Sequence, residues 1–236
     1  MFVSPARVRT PELMDQPGLD KCEHDAALGA LGRANVISRT TSATWPAIRR
    51  AAGEVNHRPV RVLDLACGGG HVAVEIARRL AGAGIAAEVL GCDMSAAALD
   101  YARTLAARAD VQHIRFATLD VLRDPWPTGF DVVHCSLFLH HLADDEAVET
   151  LRRMKEAAGR LVVVSDLKRS DLGYLFAWVG CRLLSTSRVF HADGTVSVAA
   201  AFTPREAGTL AARAGLEGAI IQDCWPQRFL LTWQPR

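Results

Sequence analysis

Two apolar segments that end in acidic residues constrain the fold of this chain most strongly. The first segment runs through Asp64 into the glycine-rich turn Gly68–Gly70, and the second ends at Asp93. Their separation is typical of consecutive strands in a βαβ unit whose ends share one nucleoside ligand. Glycines in the turn let the backbone approach that ligand closely. Because an acid before the turn repels phosphate and can help hold an ammonium group, the pattern favours a nucleoside with an amino-acid tail over a dinucleotide.

Strand-like and helix-like segments alternate through the middle of the chain. We predict strands at residues 61–65, 87–92, 111–117, 130–136 and 160–165, and helices at residues 71–80, 96–107 and 144–157. This alternation is typical of a doubly wound, mostly parallel α/β sheet. The segments 217–223 and 228–234 predict a terminal strand hairpin at the sheet edge, which brings the sheet to seven strands.

Two predicted helix starts carry capping signals. Ser95 precedes an alanine-rich segment and is expected to be its N-cap. Thr203 and Glu206 have the spacing of a capping box, and Pro204 stands at the first helical position. We therefore expect a further helix between the fifth strand and the terminal hairpin.

The parts of the chain outside the sheet are predicted to be largely helical. Residues 1–58 form an N-terminal helical lead-in or cap, and residues 59–236 form the nucleoside-binding domain. A helical cap insertion, residues 167–202, follows the fifth strand. Its apolar helix, Tyr174–Leu184, is expected either to pack on the sheet or to form a lid over an apolar substrate. The rest of the insertion is predicted to be a loop with a turn at Asp193-Gly194.

Composition narrows the class of protein. The formal net charge is +1, so no global field recruits nucleic acid. No apolar run is long enough to span a bilayer, and the first residues lack the layout of a secretory signal. None of the six cysteines forms a C-x-x-C pair, which argues against a zinc or iron–sulfur site. Their positions in apolar runs predict reduced, buried thiols in a cytoplasmic protein.

The ordered motifs resemble those of class I S-adenosylmethionine-dependent methyltransferases of the small-molecule type. The family's first motif, (D/E)-x-G-x-G-x-G, matches Asp64, Ala66, Gly68 and Gly70, with alanine at the first glycine position. The resemblance is good over residues 60–165 and looser elsewhere. It implies a Rossmann-like sheet, S-adenosylmethionine as the cofactor and S-adenosylhomocysteine as its product.

The resemblance also implies which residues bind the cofactor. Asp64, Ala66, Cys67 and Gly68 would lie along its methionine part, with Cys135 on the fourth strand. The remaining positions that match the family's nucleoside-binding motifs are Asp93 for the ribose, Met94 beside the adenine, Asp120 toward the adenine amine, and Val121.

Two other classes of function remain compatible with the turn and Asp93. One is a nicotinamide-dependent oxidoreductase, which is weakened because no Tyr-x-x-x-Lys pair follows the fifth strand. The other is a non-catalytic module that binds the cofactor and a partner. An ordered set of motifs at the carboxyl ends of predicted strands favours the methyltransferase.

The residues after the fourth strand bear on the acceptor. The segment Cys135–Phe138 lacks the N/D-P-P-Y/F tetrad of methyltransferases that act on exocyclic amines of DNA or on protein glutamine. His140 and His141 follow directly, in a segment that resembles quinone and polyketide methyltransferases. A histidine here suits a general base that takes a proton from a phenol or enol, and His140 is the preferred candidate. These residues predict O-methylation of a small, mostly apolar aromatic or polyketide-like acceptor, with C-methylation of a quinone precursor as the alternative.

Polar residues beyond the fifth strand provide further candidates. Asp166 and Lys168 are expected near the pocket mouth, and His191 and Asp193 in the cap. Asp166 alone does not provide the set of carboxylates that a catechol-bridging metal requires, so we predict methyl transfer without a metal. A homodimer is open as an alternative to a monomer.

Overall fold

A computed structural model describes residues 6–16 and 18–235, and within them the strands form one seven-stranded sheet. The strands are β1 (Val60–Leu65), β2 (Ala87–Asp93), β3 (Ile114–Thr118), β4 (Phe130–Ser136), β5 (Ala158–Leu167), β6 (Ile220–Cys224) and β7 (Arg228–Trp233). Their order is β3-β2-β1-β4-β5-β7-β6. Only β7 runs antiparallel to its neighbours β5 and β6. The predicted doubly wound, mostly parallel fold and its terminal hairpin are confirmed.

Helices cover both faces of the sheet. They are α1 (Lys21–Ile37), α2 (Thr40–Gly53), α3 (His71–Gly82), α4 (Ala96–Arg108), α5 (Asp144–Ala157), α6 (Asp171–Leu184), α7 (Arg188–Ala200) and α8 (Pro204–Arg213). A 3-10 turn spans Leu139–His141. Alternate residues of β1 face two separate apolar clusters: Leu63 belongs to the cluster under α5 and α8, and Val62 to the cluster under α2 and α3. Burial on both faces is typical of parallel strands.

The capping signals act as predicted. The Ser95 hydroxyl accepts a hydrogen bond from the Ala98 backbone N–H at 3.2 Å. At the start of α8, Thr203 Oγ1 accepts from the Glu206 N–H at 3.2 Å, and Glu206 accepts from the Thr203 N–H at 2.8 Å. This capping box satisfies otherwise unpaired donors at the helix start, and Pro204 needs no donor there.

Several strand boundaries differ from the prediction by one to three residues, those of β3 and β5 among them. β3 begins at Ile114 because the Val111 N–H closes the end of α4 on the Ala106 carbonyl. β5 continues to Leu167, because β7 pairs with it as far as that residue. Asp166 therefore lies inside a strand, near its carboxyl end.

The predicted loop at residues 187–202 is wrong, because this segment forms α7. Asp193 and Gly194 lie inside this helix and make no turn. The Asp193 carboxylate accepts the backbone N–H groups of Leu13 and Met14, at 2.7 and 3.0 Å. A Cβ on Gly194 would lie 2.3 Å from Cys181 Sγ. Both residues thus serve tertiary contacts, although their types resemble a turn signal.

Gly194→Ala should lower the free energy of unfolding by about 1–3 kcal/mol, because the added Cβ overpacks the contact between α6 and α7. Chemical denaturation measures the change. Gly180→Ala is the matched control, since nothing lies within 4 Å of its added Cβ. The variant that combines Gly194→Ala with Cys181→Ala should recover part of the loss. Equal stability of Gly194→Ala and the parent would contradict this packing.

The N-terminal and inserted regions differ in how they meet the sheet. The helix α2 packs on β5 and β4, so part of the predicted lead-in 1–58 joins the layer that covers the sheet. The domain boundaries at 58 and 59 stay a prediction. In contrast, most large apolar side chains of α6 are exposed, and Cys181 is the apolar one that it buries. Packing on the sheet therefore does not explain the apolar character of α6.

No helix in the described part of the chain is long and apolar enough to cross a membrane. All six cysteines are free. Cys92, Cys135 and Cys181 are buried as predicted, whereas Cys22 is exposed in the first turn of α1. The prediction of buried thiols is therefore wrong for Cys22, which stands between the charged residues Lys21 and Glu23, and Cys67 and Cys224 are only partly buried.

Candidate active site

The turn after β1 lies where the strand order reverses between β1 and β4, the position at which doubly wound sheets bind ligands. Three of its residues have positive φ: Ala66 at 49°, Gly68 at 51° and Gly70 at 75°. A Cβ on Gly70 would lie 2.7 Å from the Cβ of Ala102, so this glycine also permits close packing of α4. The turn thus brings backbone N–H groups to the edge of the sheet.

Ala66 occupies the left-handed region that favours glycine, at the position where the family motif has one. Ala66→Gly should therefore raise the free energy of unfolding by about 0.5–1 kcal/mol, with no loss of cofactor affinity. Chemical denaturation and calorimetric titration with S-adenosylhomocysteine measure the two quantities. The control Ala107→Gly, on the exposed side of α4, should instead be destabilising by about 1 kcal/mol. Destabilisation by Ala66→Gly would contradict this reading of the turn.

Asp93 connects the turn to the end of β2. Its Oδ2 accepts from the Gly68 N–H at 2.8 Å, and its Oδ1 accepts from the Ser95 N–H at 2.9 Å. Burial raises the pKa of Asp93, although the two backbone donors oppose the shift. Because each carboxylate oxygen has a second acceptor site, the group can still receive two hydroxyl donors. This arrangement suits the diol of a ribose.

Asp64 forms a buried pair that the sequence reasoning missed. The Nδ1 of His134, on β4, lies 2.6 Å from Asp64 Oδ1, and both side chains are almost fully buried. The second carboxylate oxygen of Asp64 and the Nε2 of His134 have no hydrogen-bond partner in the described residues. His134 thus orients the acid and leaves one buried carboxylate oxygen without a hydrogen-bond partner.

The other predicted cofactor-binding residues lie in different environments. Met94 is exposed after β2, whereas Cys67 is partly buried and Cys135 fully buried. Burial and nearby Asp64 raise the pKa of both thiols, so neither is a ready nucleophile.

The loop after β3 holds Asp120 and Val121. The Asp120 carboxylate accepts backbone N–H groups from Leu122 at 2.9 Å and Arg123 at 3.3 Å, so it organises this loop. Val121 is buried, and its carbonyl accepts from Trp126 Nε1 at 3.0 Å. Both residues follow β3 at the carboxyl edge of the sheet, as predicted.

His140, in the 3-10 turn after β4, is hydrogen bonded to Asp166 near the carboxyl end of β5. Its Nδ1 is 2.7 Å from Asp166 Oδ1, and its backbone N–H donates to Asp166 Oδ2 at 3.1 Å. Burial by itself would lower the pKa of His140, but Asp166 and Glu12 outweigh it and raise that pKa to about 10. A free, neutral imidazole at His140 is therefore not what this environment favours.

His141 stacks beside His140 in a different environment. The two ring centroids are 4.3 Å apart, and the His141 side chain is 28% exposed. Burial and the neighbouring His140 lower the pKa of His141 to about 4. Of the predicted pair, His141 is thus the more accessible, although the sequence favoured His140.

Glu12 completes this cluster, and the sequence reasoning did not identify it. Its Oε1 lies 3.5 Å from His140 Nε2 and 3.8 Å from His141 Nε2. Asp15 Oδ2 lies 3.5 Å from His141 Nδ1. No local pattern could have shown these contacts, because the acids and the histidines are far apart in sequence.

The acids belong to a segment without helix or strand, residues 6–16, that we call the N-terminal strap. Arg7 fixes one end by donating to the carbonyls of Ala200, His140 and Leu142 at 2.6–2.9 Å. Asp193 holds the other end through two backbone N–H groups. The strap therefore lies across the two histidines.

The remaining candidates have structural partners. Lys168 Nζ lies 3.0 Å from Asp223 Oδ1, and His191 Nε2 lies 2.6 Å from the carbonyl of Ser185. Asp193 binds the strap. Of the four residues predicted beyond the fifth strand, Asp166 is the one that is hydrogen bonded to His140.

A switch-point sheet with a glycine turn after β1 and an acid at the end of β2 is the arrangement of Rossmann-like nucleoside-binding proteins. Residues 62–159 match a family model described as a methyltransferase domain. The ubiquinone biosynthesis O-methyltransferase of Alkalilimnicola ehrlichii is 40% identical over 126 residues, which cover 52% of this chain and 48% of the relative. The protein of the same name from Neisseria meningitidis serogroup C is 31% identical over 71% of this chain and 68% of the relative.

Solved structures share the fold at low sequence identity. An apo S-adenosylmethionine-dependent methyltransferase, SibL, superposes with a TM-score of 0.66 and 20% identity, over 99% of this chain and 64% of that one. Magnesium protoporphyrin IX methyltransferase from Synechocystis PCC 6803 with bound SAH superposes with a TM-score of 0.58 and 15% identity, over 94% and 90%. The present chain belongs to the class I S-adenosylmethionine-dependent methyltransferases. It spans about half the length of several curated relatives that it matches.

Proposed function

We propose that this protein transfers the methyl group of S-adenosylmethionine to a hydroxyl oxygen of a small aromatic acceptor related to quinones, which forms a methoxy group. The observation that carries the proposal is Asp93, which is hydrogen bonded to the glycine turn and has acceptor capacity left for a ribose. The relatives named ubiquinone biosynthesis O-methyltransferases support the acceptor class.

The cofactor is proposed to lie across the carboxyl ends of β1, β2 and β4. Asp93 would accept both ribose hydroxyls. The free oxygen of Asp64 would face the amino group of the methionine part, which a negative charge stabilises. The other proposed contacts are Ala66, Cys67, Gly68 and Cys135 along the methionine part, and Met94, Asp120 and Val121 around the adenine.

The acceptor is proposed to lie between the cofactor and the pair His140–His141, under the N-terminal strap. Its oxygen would attack the methyl carbon in line with the sulfur, and the sulfonium would become a neutral thioether. Because positive charge disappears from the sulfur along this path, a site with little water favours the transition state. Alignment of oxygen, methyl and sulfur provides much of the acceleration. One of the two histidines would accept the proton that the hydroxyl loses.

An assay with S-adenosylmethionine that carries a deuterated methyl group tests the reaction. A panel of catechols, hydroquinones and simple phenols is incubated with the protein, and the products are analysed by mass spectrometry and NMR. We expect a labelled methoxy group on at least one catechol or hydroquinone. A label on ring carbon would support the alternative of C-methylation. The absence of transfer to any compound, with cofactor binding intact, would favour a non-catalytic binding module.

Calorimetric titration distinguishes the remaining class. We expect S-adenosylhomocysteine to bind and NADH not to bind, because Asp64 beneath the turn repels a pyrophosphate. Tight binding of NADH alone would instead support an oxidoreductase.

The partner and location are proposed with the function. The net charge of +1 supports a small-molecule acceptor over nucleic acid. Six free cysteines support a cytoplasmic location. The exposed apolar side chains of α6 are compatible with a homodimer, and sedimentation of the purified protein tests that assembly.

A further inference from the structure

We propose that Glu12, His140 and His141 form a binding site for one divalent transition-metal ion of the zinc type, at the acceptor end of the active site. The proposal rests on the function above for its catalytic consequence but not for its geometry. It replaces the expectation of metal independence, which considered only carboxylates near Asp166 in sequence.

The three potential ligand atoms converge. Glu12 Oε1 lies 3.5 Å from one Nε2 and 3.8 Å from the other, and the ligand atoms of all three residues lie within 4.8 Å of one another. These separations are long for hydrogen bonds. Tetrahedral ligands at about 2.0–2.1 Å from a zinc ion are themselves about 3.3–3.4 Å apart. The two distances from Glu12 are already close to this value, and contraction of the cluster around one ion would give three normal metal–ligand bonds.

A carboxylate outside the cluster holds the His140 imidazole in the orientation that a metal requires, and a second carboxylate lies near the His141 ring. Asp166 lies 2.7 Å from Nδ1 of His140, and Asp15 lies 3.5 Å from Nδ1 of His141. With each Nδ1 facing a carboxylate, each Nε2 faces the cluster, and a metal bound there would displace the proton that His140 otherwise carries. This carboxylate–histidine arrangement is usual around bound zinc. The Ser197 hydroxyl donates to Glu12 and fixes the third ligand.

The donor set selects the kind of ion. Two imidazoles and one carboxylate suit Zn²⁺, Co²⁺ or Fe²⁺, whereas Mg²⁺ and Ca²⁺ prefer oxygen ligands only. Three protein ligands leave a coordination position open for water or for an oxygen of the acceptor. The burial of His140 and the partial exposure of His141 make one side of the cluster accessible.

The metal would act on the acceptor hydroxyl. An oxygen bound to the fourth position loses its proton more readily because the cation stabilises the oxyanion, and the proton passes to solvent. Neither histidine then has to accept it. Because Glu12 lies on the N-terminal strap, the ion would also fasten the strap over the site. The same ion would thus order the strap and activate the acceptor hydroxyl.

Metal binding can be measured without cofactor or acceptor. The full chain is stripped with a chelator and titrated with Zn²⁺ by calorimetry and with Co²⁺ by visible absorption. We expect one site per chain, a Co²⁺ spectrum of low-coordinate type, and no Mg²⁺ binding. Glu12→Gln and His141→Asn should each weaken Zn²⁺ binding at least 10-fold, and Asp15→Asn should weaken it less.

Matched controls are Glu23→Gln and His113→Asn, which are exposed and distant from the cluster and should bind Zn²⁺ like the parent. Circular dichroism verifies that each variant is folded, and Glu12→Asp replaces any Glu12 variant that is not. The absence of saturable Zn²⁺ binding, or equal binding by Glu12→Gln and the parent, would overturn the site. Methyl transfer by protein that binds no metal would overturn the metal site and leave the proposed function standing. Metal binding without methyl transfer would count against the proposed function.

Discussion

Asp93→Asn should weaken the binding of S-adenosylhomocysteine about 10- to 100-fold, which corresponds to the loss of one charge-assisted hydrogen bond from a ribose hydroxyl. The amide keeps one acceptor oxygen, but its NH₂ group faces the N–H of either Gly68 or Ser95. Calorimetric titration measures the dissociation constant. Because the side chain also accepts from Ser95, we expect a modest loss of stability as well.

The control for this substitution is Asp100→Asn on α4, where the acid is exposed and pairs only with Arg103 at 2.7 Å. It removes the same charge without touching the turn, so the dissociation constant should stay at the parent value. If Asp93→Asn binds the nucleoside as tightly as the parent, Asp93 is not the diol-binding acid, and the placement of the cofactor over β2 fails.

His134→Leu should lower the free energy of unfolding by about 3–5 kcal/mol, because it leaves the buried carboxylate of Asp64 without its partner. Chemical denaturation measures the loss. Replacing both residues by leucine should recover part of the stability, since no uncompensated charge then remains. Cofactor affinity should not recover in the double variant, because the acid itself is proposed to face the cofactor.

His113→Leu is the control for His134→Leu, because His113 is exposed and its loss should change stability by less than about 0.5 kcal/mol. A double variant no more stable than His134→Leu would mean that the pair stabilises the protein by packing and not by compensating the Asp64 charge. Recovered affinity in the double variant would mean that Asp64 does not contact the cofactor.

The two ends of the site depend on different contacts. The proposed cofactor end is built from residues close in sequence to strand ends, so Asp64, Asp93 and Asp120 could be placed from motif spacing alone. The proposed acceptor end combines the 3-10 turn after β4 with the N-terminal strap, which is far from this turn in sequence. Asp166, near the carboxyl end of β5, connects this end of the site to the sheet through its hydrogen bond with His140.

The sequence by itself determined the mostly parallel sheet, the glycine turn and the helix caps, because these depend on local periodicity, capping and φ preference. The tertiary structure alone decided the roles of Asp193-Gly194, His134 and Glu12. A turn-like pair became part of a helix because the strap and Cys181 make contacts there. Likewise, the environments of His140 and His141 are set by carboxylates that no spacing rule connects to them. Burial and charge depend on which distant segments meet, and only the folded chain brings those segments together.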